Sequence, residues 1–162
     1  MREFSSINGT IISIENFDTS IHSTISCTLL MGIQSKTQEL TYFIVDLETY
    51  IVNNTTLKKG DVVTAYYDAS LPVPLIYPPR YRAVVISKVS RNYFVKVSSF
   101  NEDLISIDGQ LKLNLSPQTS VLLPNNQIYL GSLANRDLVV LYRNSTKSIP
   151  AQTTPSKVIV LC

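Results

Sequence analysis

Short runs in which β-branched apolar residues alternate with polar ones dominate the first half of the chain. Residues 9–14 read Gly-Thr-Ile-Ile-Ser-Ile, and similar runs recur at residues 24–30, 40–45, 61–67 and 81–89. Runs of this length that are rich in Val, Ile, Thr and Tyr are typical of half-buried strands. No segment combines a sustained 3.6-residue apolar period with helix caps. The first half therefore predicts five strands and no helix.

The second half of the chain continues the strand pattern. Strands are predicted at residues 104–107 and 111–115, and Asp108-Gly109 between them is a type I′ hairpin signal because both central residues of that turn need positive φ. Further strands are predicted at residues 128–130, 138–142 and 157–161. The whole chain therefore predicts an all-β fold.

An internal repeat predicts two modules. The motif Leu57-x-x-Gly60-Asp61-x-Val63 has an echo in Leu133-x-x-Arg136-Asp137-x-Val139, with a longer connection before the second motif. Asp61, Tyr66 and Pro74 keep the same spacing as Asp137, Tyr142 and Pro150, with Thr49 and Thr119 upstream. We therefore predict a first module over residues 1–90 and a second over residues 91–162, with the boundary near Ser90-Arg91-Asn92.

The order of the predicted strands indicates the type of module. Five strands with a longer connection between the third and the fourth match the order of an OB-type barrel. In the Leu-x-x-Gly-Asp-x-Val turn, Gly60 would supply unusual dihedral angles and Asp61 would cap the turn. We predict two tandem small β-barrels, each OB-like; SH3-like barrels and a split β-sandwich have similar patterning and stay open as alternatives.

Composition narrows the function classes. The chain is 44% apolar and 16% charged with a net charge of +2, so it can bury a core and has no overall polyanion-binding character. His22 is its single histidine, expected in a solvated loop, and Cys27 and Cys162 lie far apart in sequence. Cys27 falls in a predicted strand and is expected to be a small core residue. We therefore predict no catalytic residue, metal site or cofactor.

The chain shows no sign of a membrane or export segment. No apolar run approaches 18 residues, and the N-terminus Met1-Arg2-Glu3-Phe4-Ser5-Ser6 lacks the apolar centre of a signal peptide. We therefore expect no membrane partner.

One stretch is distinctive enough to resemble a family. Residues 66–83 read YYDASLPVPLIYPPRYRA, and residues 9–15 read GTIISIE. With the later stretch IPAQTTP at 149–155, the chain resembles an uncharacterised family of small proteins from clostridia and related spore-forming bacteria, which share a G-x-I-x-x-I-E start and a YYDA-x-x-P-x-PLIYPP-x-Y-x-A segment. The resemblance implies a bacterial protein, cytoplasmic or spore-associated, and it carries over no catalytic residue.

The proline-rich part of that stretch is the first candidate site. Four prolines between residues 72 and 79 remove backbone donors and fix φ, so residues 71–80 predict an ordered, extended loop between the fourth and fifth strands. In an OB fold such a loop borders the ligand surface. The candidate binding residues are Leu75, Ile76, Tyr77, Arg80, Tyr81 and Arg82. The alternative is a loop that packs across the barrel end, or against the second barrel, and closes the core.

A second candidate site interleaves basic and aromatic residues, a pattern typical of proteins that bind single-stranded nucleic acid. Its members are Arg91, Tyr93, Phe94 and Lys96. The excess of positive charge is mild, so nucleic acid is the second choice. The sequence favours a non-catalytic module that binds a protein or peptide, or self-associates, through an exposed strand edge.

Overall fold

The computed structural model describes residues 2–17 and 27–162 of the 162-residue chain. Within them the fold is all-β, as predicted, and a single turn of 3-10 helix over Val52–Asn54 is the one helical element. The chain forms two compact units, Phe4–Val89 and Ser90–Cys162, and Arg2 and Glu3 belong with the second. The division falls next to the predicted boundary at Ser90-Arg91-Asn92.

The first unit is built on one sheet of seven strands. They are β1 (Phe4–Asn16), β2 (Leu29–Gln34), β3 (Leu40–Val45), β4 (Tyr50–Ile51), β5 (Val62–Asp68), β6 (Arg80–Arg82) and β7 (Val85–Lys88). Their order in the sheet is β4-β7-β5-β1-β2-β3-β6. The long strand β1 pairs antiparallel with both β2 and β5, whereas β3 pairs parallel with β6 and β4 parallel with β7.

The core of the first unit follows from the alternation in its strands. Every second residue of β3 is buried, and Phe43 at its centre is fully inaccessible, as are Ile33 of β2 and Val63 of β5. The predicted turn chemistry is confirmed at the start of β5. Gly60 has φ of +96°, and the carboxylate of Asp61 accepts a hydrogen bond of 2.8 Å from the backbone NH of Lys58.

The second unit has a four-stranded sheet and a two-stranded one. Its strands are β8 (Phe94–Phe100), β9 (Leu111–Leu113), β10 (Ser120–Leu122), β11 (Arg136–Tyr142), β12 (Ala151–Thr153) and β13 (Lys157–Leu161). The larger sheet has the order β10-β13-β11-β8, and β9 pairs parallel with β12. Phe100, Leu138, Val140 and Val158 lie at the centre of a second apolar core.

The structure corrects several strand predictions. The predicted strand over residues 81–89 is interrupted at Ala83 and Val84, whose NH groups donate to Ile44 and Tyr66 in two different strands. Residues 105–106 and 128 form only isolated bridges rather than strands. Strand β8 was not predicted, because the two consecutive polar residues Ser98 and Ser99 break the apolar pattern. Both are nevertheless buried in the structure.

The hairpin signal at Asp108-Gly109 was also wrong in detail. The NH of Gly109 donates to Ser106 at 2.8 Å and closes a turn whose central residues are Ile107 and Asp108. Of the two predicted central residues only Gly109, with φ of +72°, has a left-handed conformation. The turn is therefore not type I′, which requires two such residues.

Cys27 is exposed and precedes β2, which begins at Leu29, so the prediction that it is a core residue is wrong. His22 and the first part of the predicted strand at 24–30 lie outside the described residues. No sheet formed by residues 2–17 and 27–162 closes into a barrel, and the OB-like assignment stays a prediction. In the same part of the chain no helix is both long enough and apolar enough to cross a lipid bilayer.

Candidate functional site

The proline-rich connection between β5 and β6 presents a run of apolar side chains to solvent. We call residues 71–77 the apolar loop; every one of its residues is exposed. Leu75 is fully exposed, and Tyr77 retains 87% of its accessible surface. None of these seven residues belongs to the core of the first unit, so the loop does not fill that core.

The apolar loop is held in a defined shape at both ends. At its start the NH of Leu71 donates to the carbonyl of Asp68, and the buried carboxylate of Asp68 accepts from the NH of Ser70 at 3.0 Å. Near its end the NH of Ile76 donates to Pro74 at 2.9 Å. Prolines fix φ between these points. The loop therefore offers its side chains without a large loss of conformational entropy on binding.

The three candidate residues that follow the loop have separate environments. Tyr81 stacks on Tyr67, with ring centroids 4.0 Å apart and planes 10° apart, and both rings pack against Phe43. Burial, followed by the neighbouring Tyr81 hydroxyl, raises the pKa of Tyr67. Tyr81 is thus half-buried and packed against the core, and Tyr67 covers one face of its ring.

The two arginines beside Tyr81 are each engaged. A guanidinium nitrogen of Arg82 lies 2.7 Å from the carboxylate of Asp46, and the guanidinium of Arg80 lies 5.1 Å from the centre of the Phe17 ring. The ring attracts the positive charge of the guanidinium, and this cation–π contact leaves Arg80 partly covered. Arg82 stays exposed despite its ion pair, and Leu75, Ile76 and Tyr77 are the exposed candidate residues that follow one another in the chain.

The basic and aromatic candidates of the second unit are only partly exposed. Phe94 is 62% exposed, and the centre of its ring lies 5.6 Å from that of Tyr142. Burial raises the pKa of Tyr142. Arg91 is exposed and Tyr93 is half-buried. Lys96 forms an ion pair with Asp108, so its charge is largely neutralised.

Ion pairs also neutralise cations in the first unit. The ammonium of Lys88 lies 3.3 Å from the carboxylate of Asp61. The backbone NH of Lys58 holds the pKa of Asp61 below its usual range, and Lys88 adds to this effect. A surface whose cations already form ion pairs attracts phosphates more weakly, because each cation must leave its carboxylate before it can neutralise a phosphate.

A site that sequence reasoning missed lies in the second unit. We call it the apolar groove: an open depression of about 370 Å³. It is lined by Glu102, Leu104, Leu115, Val121, Tyr129, Gly131, Ser132, Leu133 and Ala134. Leu133 is buried in the core beneath, and the hydroxyl of Tyr129 donates to the carbonyl of Ser132 at 2.9 Å. The lining residues are spread over residues 102–134 and only the fold brings them together.

The described residues include no cluster of three or more His, Cys, Asp or Glu side chains that could hold a metal ion. No protein-family model matches this chain, and no curated protein matches it either. The apolar loop and the surfaces around it are therefore the features from which a function is inferred.

Proposed function

We propose that this protein is a non-catalytic binding or assembly module that recognises a protein surface through the apolar loop. The observation that carries the proposal is the full exposure of Leu75 together with the 87% exposure of Tyr77 on a loop with fixed ends. Burial of one such side chain in a partner contributes about 1.5–3 kcal/mol. Contiguous exposed apolar surface on a soluble domain marks an interaction site.

The loop is a better contact than a strand edge. Of the described strands, β8 is the longest at a sheet edge, but the turn over residues 106–109 lies along part of it: the NH of Ile107 donates to Ser99 at 3.0 Å, and Lys96 pairs with Asp108. A covered edge offers few main-chain groups to an added strand. The proposal therefore replaces the predicted strand edge with the loop as the means of contact.

We also propose that each unit is OB-like. In the first unit, β1, β2 and β3 form a meander; β6 then runs parallel to β3, and β7, two residues later, pairs with β5. An OB barrel closes through one final strand with these two neighbours. The interruption at Ala83-Val84 splits that strand in two.

The hydrogen bonds of two threonines support the proposed tandem repeat. The hydroxyl of Thr49 donates to Ala83 at 2.8 Å and accepts from the NH of Asp46 at 3.2 Å. In the second unit the hydroxyl of Thr119 donates to Pro155 at 2.7 Å and accepts from the NH of Ser116 at 3.3 Å. The next strand then pairs parallel with the last strand of its unit in both cases.

Site-specific photo-cross-linking in the native cells tests the function. A photoreactive residue at position 75 should give a discrete adduct with a protein, and Tyr77→Ser should reduce its yield roughly tenfold, since one buried aromatic side chain supports that difference. Position 47 is the matched control, because Leu47 is an 85% exposed leucine of the same unit outside the loop. Equal adduct yields at positions 47 and 75, or none at 75, would contradict the proposal.

Weak binding of single-stranded nucleic acid is the second candidate function. Phe94 favours it, since its exposed ring could stack on a base beside the exposed Arg91. Fluorescence anisotropy with short single-stranded DNA and RNA would detect such binding, which should weaken steeply as salt rises. From the family resemblance alone, we also propose that the protein is bacterial and is either cytoplasmic or spore-associated.

A further inference from the structure

We propose that the apolar loop of one copy docks into the apolar groove of a second copy, so that the chain assembles head to tail. This inference rests on the proposed function and names the partner of the same loop. The loop projects apolar side chains from the first unit, and the groove is an open apolar depression in the second. One chain therefore carries both halves of the contact.

The size and shape of the two surfaces are compatible. The groove has a volume of about 370 Å³, within the range of roughly 300–1,000 Å³ that clefts for small apolar ligands occupy. It can therefore take the side chains of Leu75 and Tyr77. Segments restricted by proline lose little entropy on binding, and aromatic side chains commonly line the grooves that recognise them. Tyr129 supplies an aromatic side chain to this groove.

Charge favours the same pairing. Arg80 follows the loop after Pro78 and Pro79, whereas Glu102 lines the groove and the exposed Asp103 is its neighbour in sequence. Arg82 is already paired with Asp46, so Arg80 supplies the positive charge. Opposite charges at the rim of an apolar contact increase the association rate and fix its orientation. The cationic side of the loop thus matches the anionic side of the groove.

The two surfaces are different, so the contact is heterologous. A heterologous contact leaves one loop and one groove free in every dimer, and assembly continues until it closes into a ring or extends as a filament. We therefore expect species larger than a dimer as the concentration rises.

Sedimentation velocity of the purified full chain between about 1 µM and 1 mM tests the inference. The wild type should shift to larger species with concentration. The double variant Leu75→Ser/Tyr77→Ser and the groove variant Leu115→Arg should each stay monomeric, because each lacks one half of the contact. Leu115 is 46% exposed, so its replacement is compatible with folding, and circular dichroism checks this. Leu47→Ser should assemble like the wild type.

A mixture of the two monomeric variants gives the decisive result. The loop variant keeps its groove and the groove variant keeps its loop, so together they should form a one-to-one heterodimer that grows no further. A mixture that stays monomeric, or a wild type that is monomeric throughout, would overturn the inference. If position 75 still cross-links to another protein in cells, the proposed function survives that result; if it cross-links to nothing, both fail.

Discussion

At the scale of single residues, aspartates in the turns act as caps and as ion-pair partners at once. Asp61 accepts from the NH of Lys58 and pairs with Lys88. Asp108 accepts from the hydroxyl of Ser106 and the NH of Gln110 and pairs with Lys96. Each carboxylate therefore fixes a turn and neutralises a cation, which explains why the basic surface is smaller than the sequence indicates.

The ionisation of Asp108 should appear in the pH dependence of stability. Partial burial alone would raise the pKa of Asp108, but hydrogen bonds from Lys96, Ser106 and Gln110 outweigh it and hold the pKa below the ordinary value of 3.8. A lowered pKa in the folded state contributes stability that is present above the ordinary value and is lost as the pH falls through the folded one.

We therefore expect Asp108→Asn to lower the melting temperature at pH 7 and to have a progressively smaller effect below pH 3.8. Thermal unfolding from pH 7 to pH 2 would measure this. Asp103→Asn, at an exposed neighbouring position, is the control. A difference between wild type and Asp108→Asn that does not change with pH would contradict the ionic role.

At the scale of elements, a threonine fixes the turn before β4 and the turn before β10. Each hydroxyl donates to a carbonyl in the segment that leads to the last strand of its unit, Ala83 for Thr49 and Pro155 for Thr119. Each threonine thus holds a short strand against the last strand of its unit.

Replacement of Thr119 by valine should remove these bonds while it keeps the shape of the side chain. The carbonyl of Pro155 and the NH of Ser116 would lose a partner, so the free energy of unfolding should fall by about 1–3 kcal/mol. Urea unfolding measures the change, with Thr37→Val at an exposed position as the control. Equal small effects for both variants would show that the bond at Thr119 is not important.

At the scale of the whole molecule, two separate cores support two units. Phe43 is fully buried in the first core and Phe100 in the second. Each unit brings together its own strands and its own apolar centre. The apolar loop belongs to the first unit and the apolar groove to the second.

The two cores predict local effects of core substitutions. Phe43→Ala should cost about 3–5 kcal/mol and lower the amide protection of β1, β3 and β5, while β11 and β13 keep most of theirs. Phe100→Ala should give the reverse pattern. Hydrogen exchange followed by mass spectrometry on both variants would measure this. Equal loss of protection in both units from either substitution would show that they unfold together.

Sequence patterning predicted much of the fold because strand formation depends on local alternation. The predicted strands at 40–45 and 157–161 coincide with β3 and β13, and the Gly60-Asp61 turn has the expected chemistry. Strand β8 escaped prediction because the burial of Ser98 and Ser99 depends on neighbours distant in sequence. An ordered, extended loop was also predicted over residues 71–80, since prolines restrict the backbone wherever they occur, although Arg80 already begins β6.

What the sequence alone determined is therefore local: the all-β character, the turn residues and the proline-rich loop. The tertiary structure decided which side chains are available. It placed Tyr81 in a stack with Tyr67, paired Arg82 with Asp46, and left Leu75 and Tyr77 in solvent. It also assembled the apolar groove from distant positions. Exposure and pairing depend on contacts between segments far apart in the chain, and no local pattern encodes them.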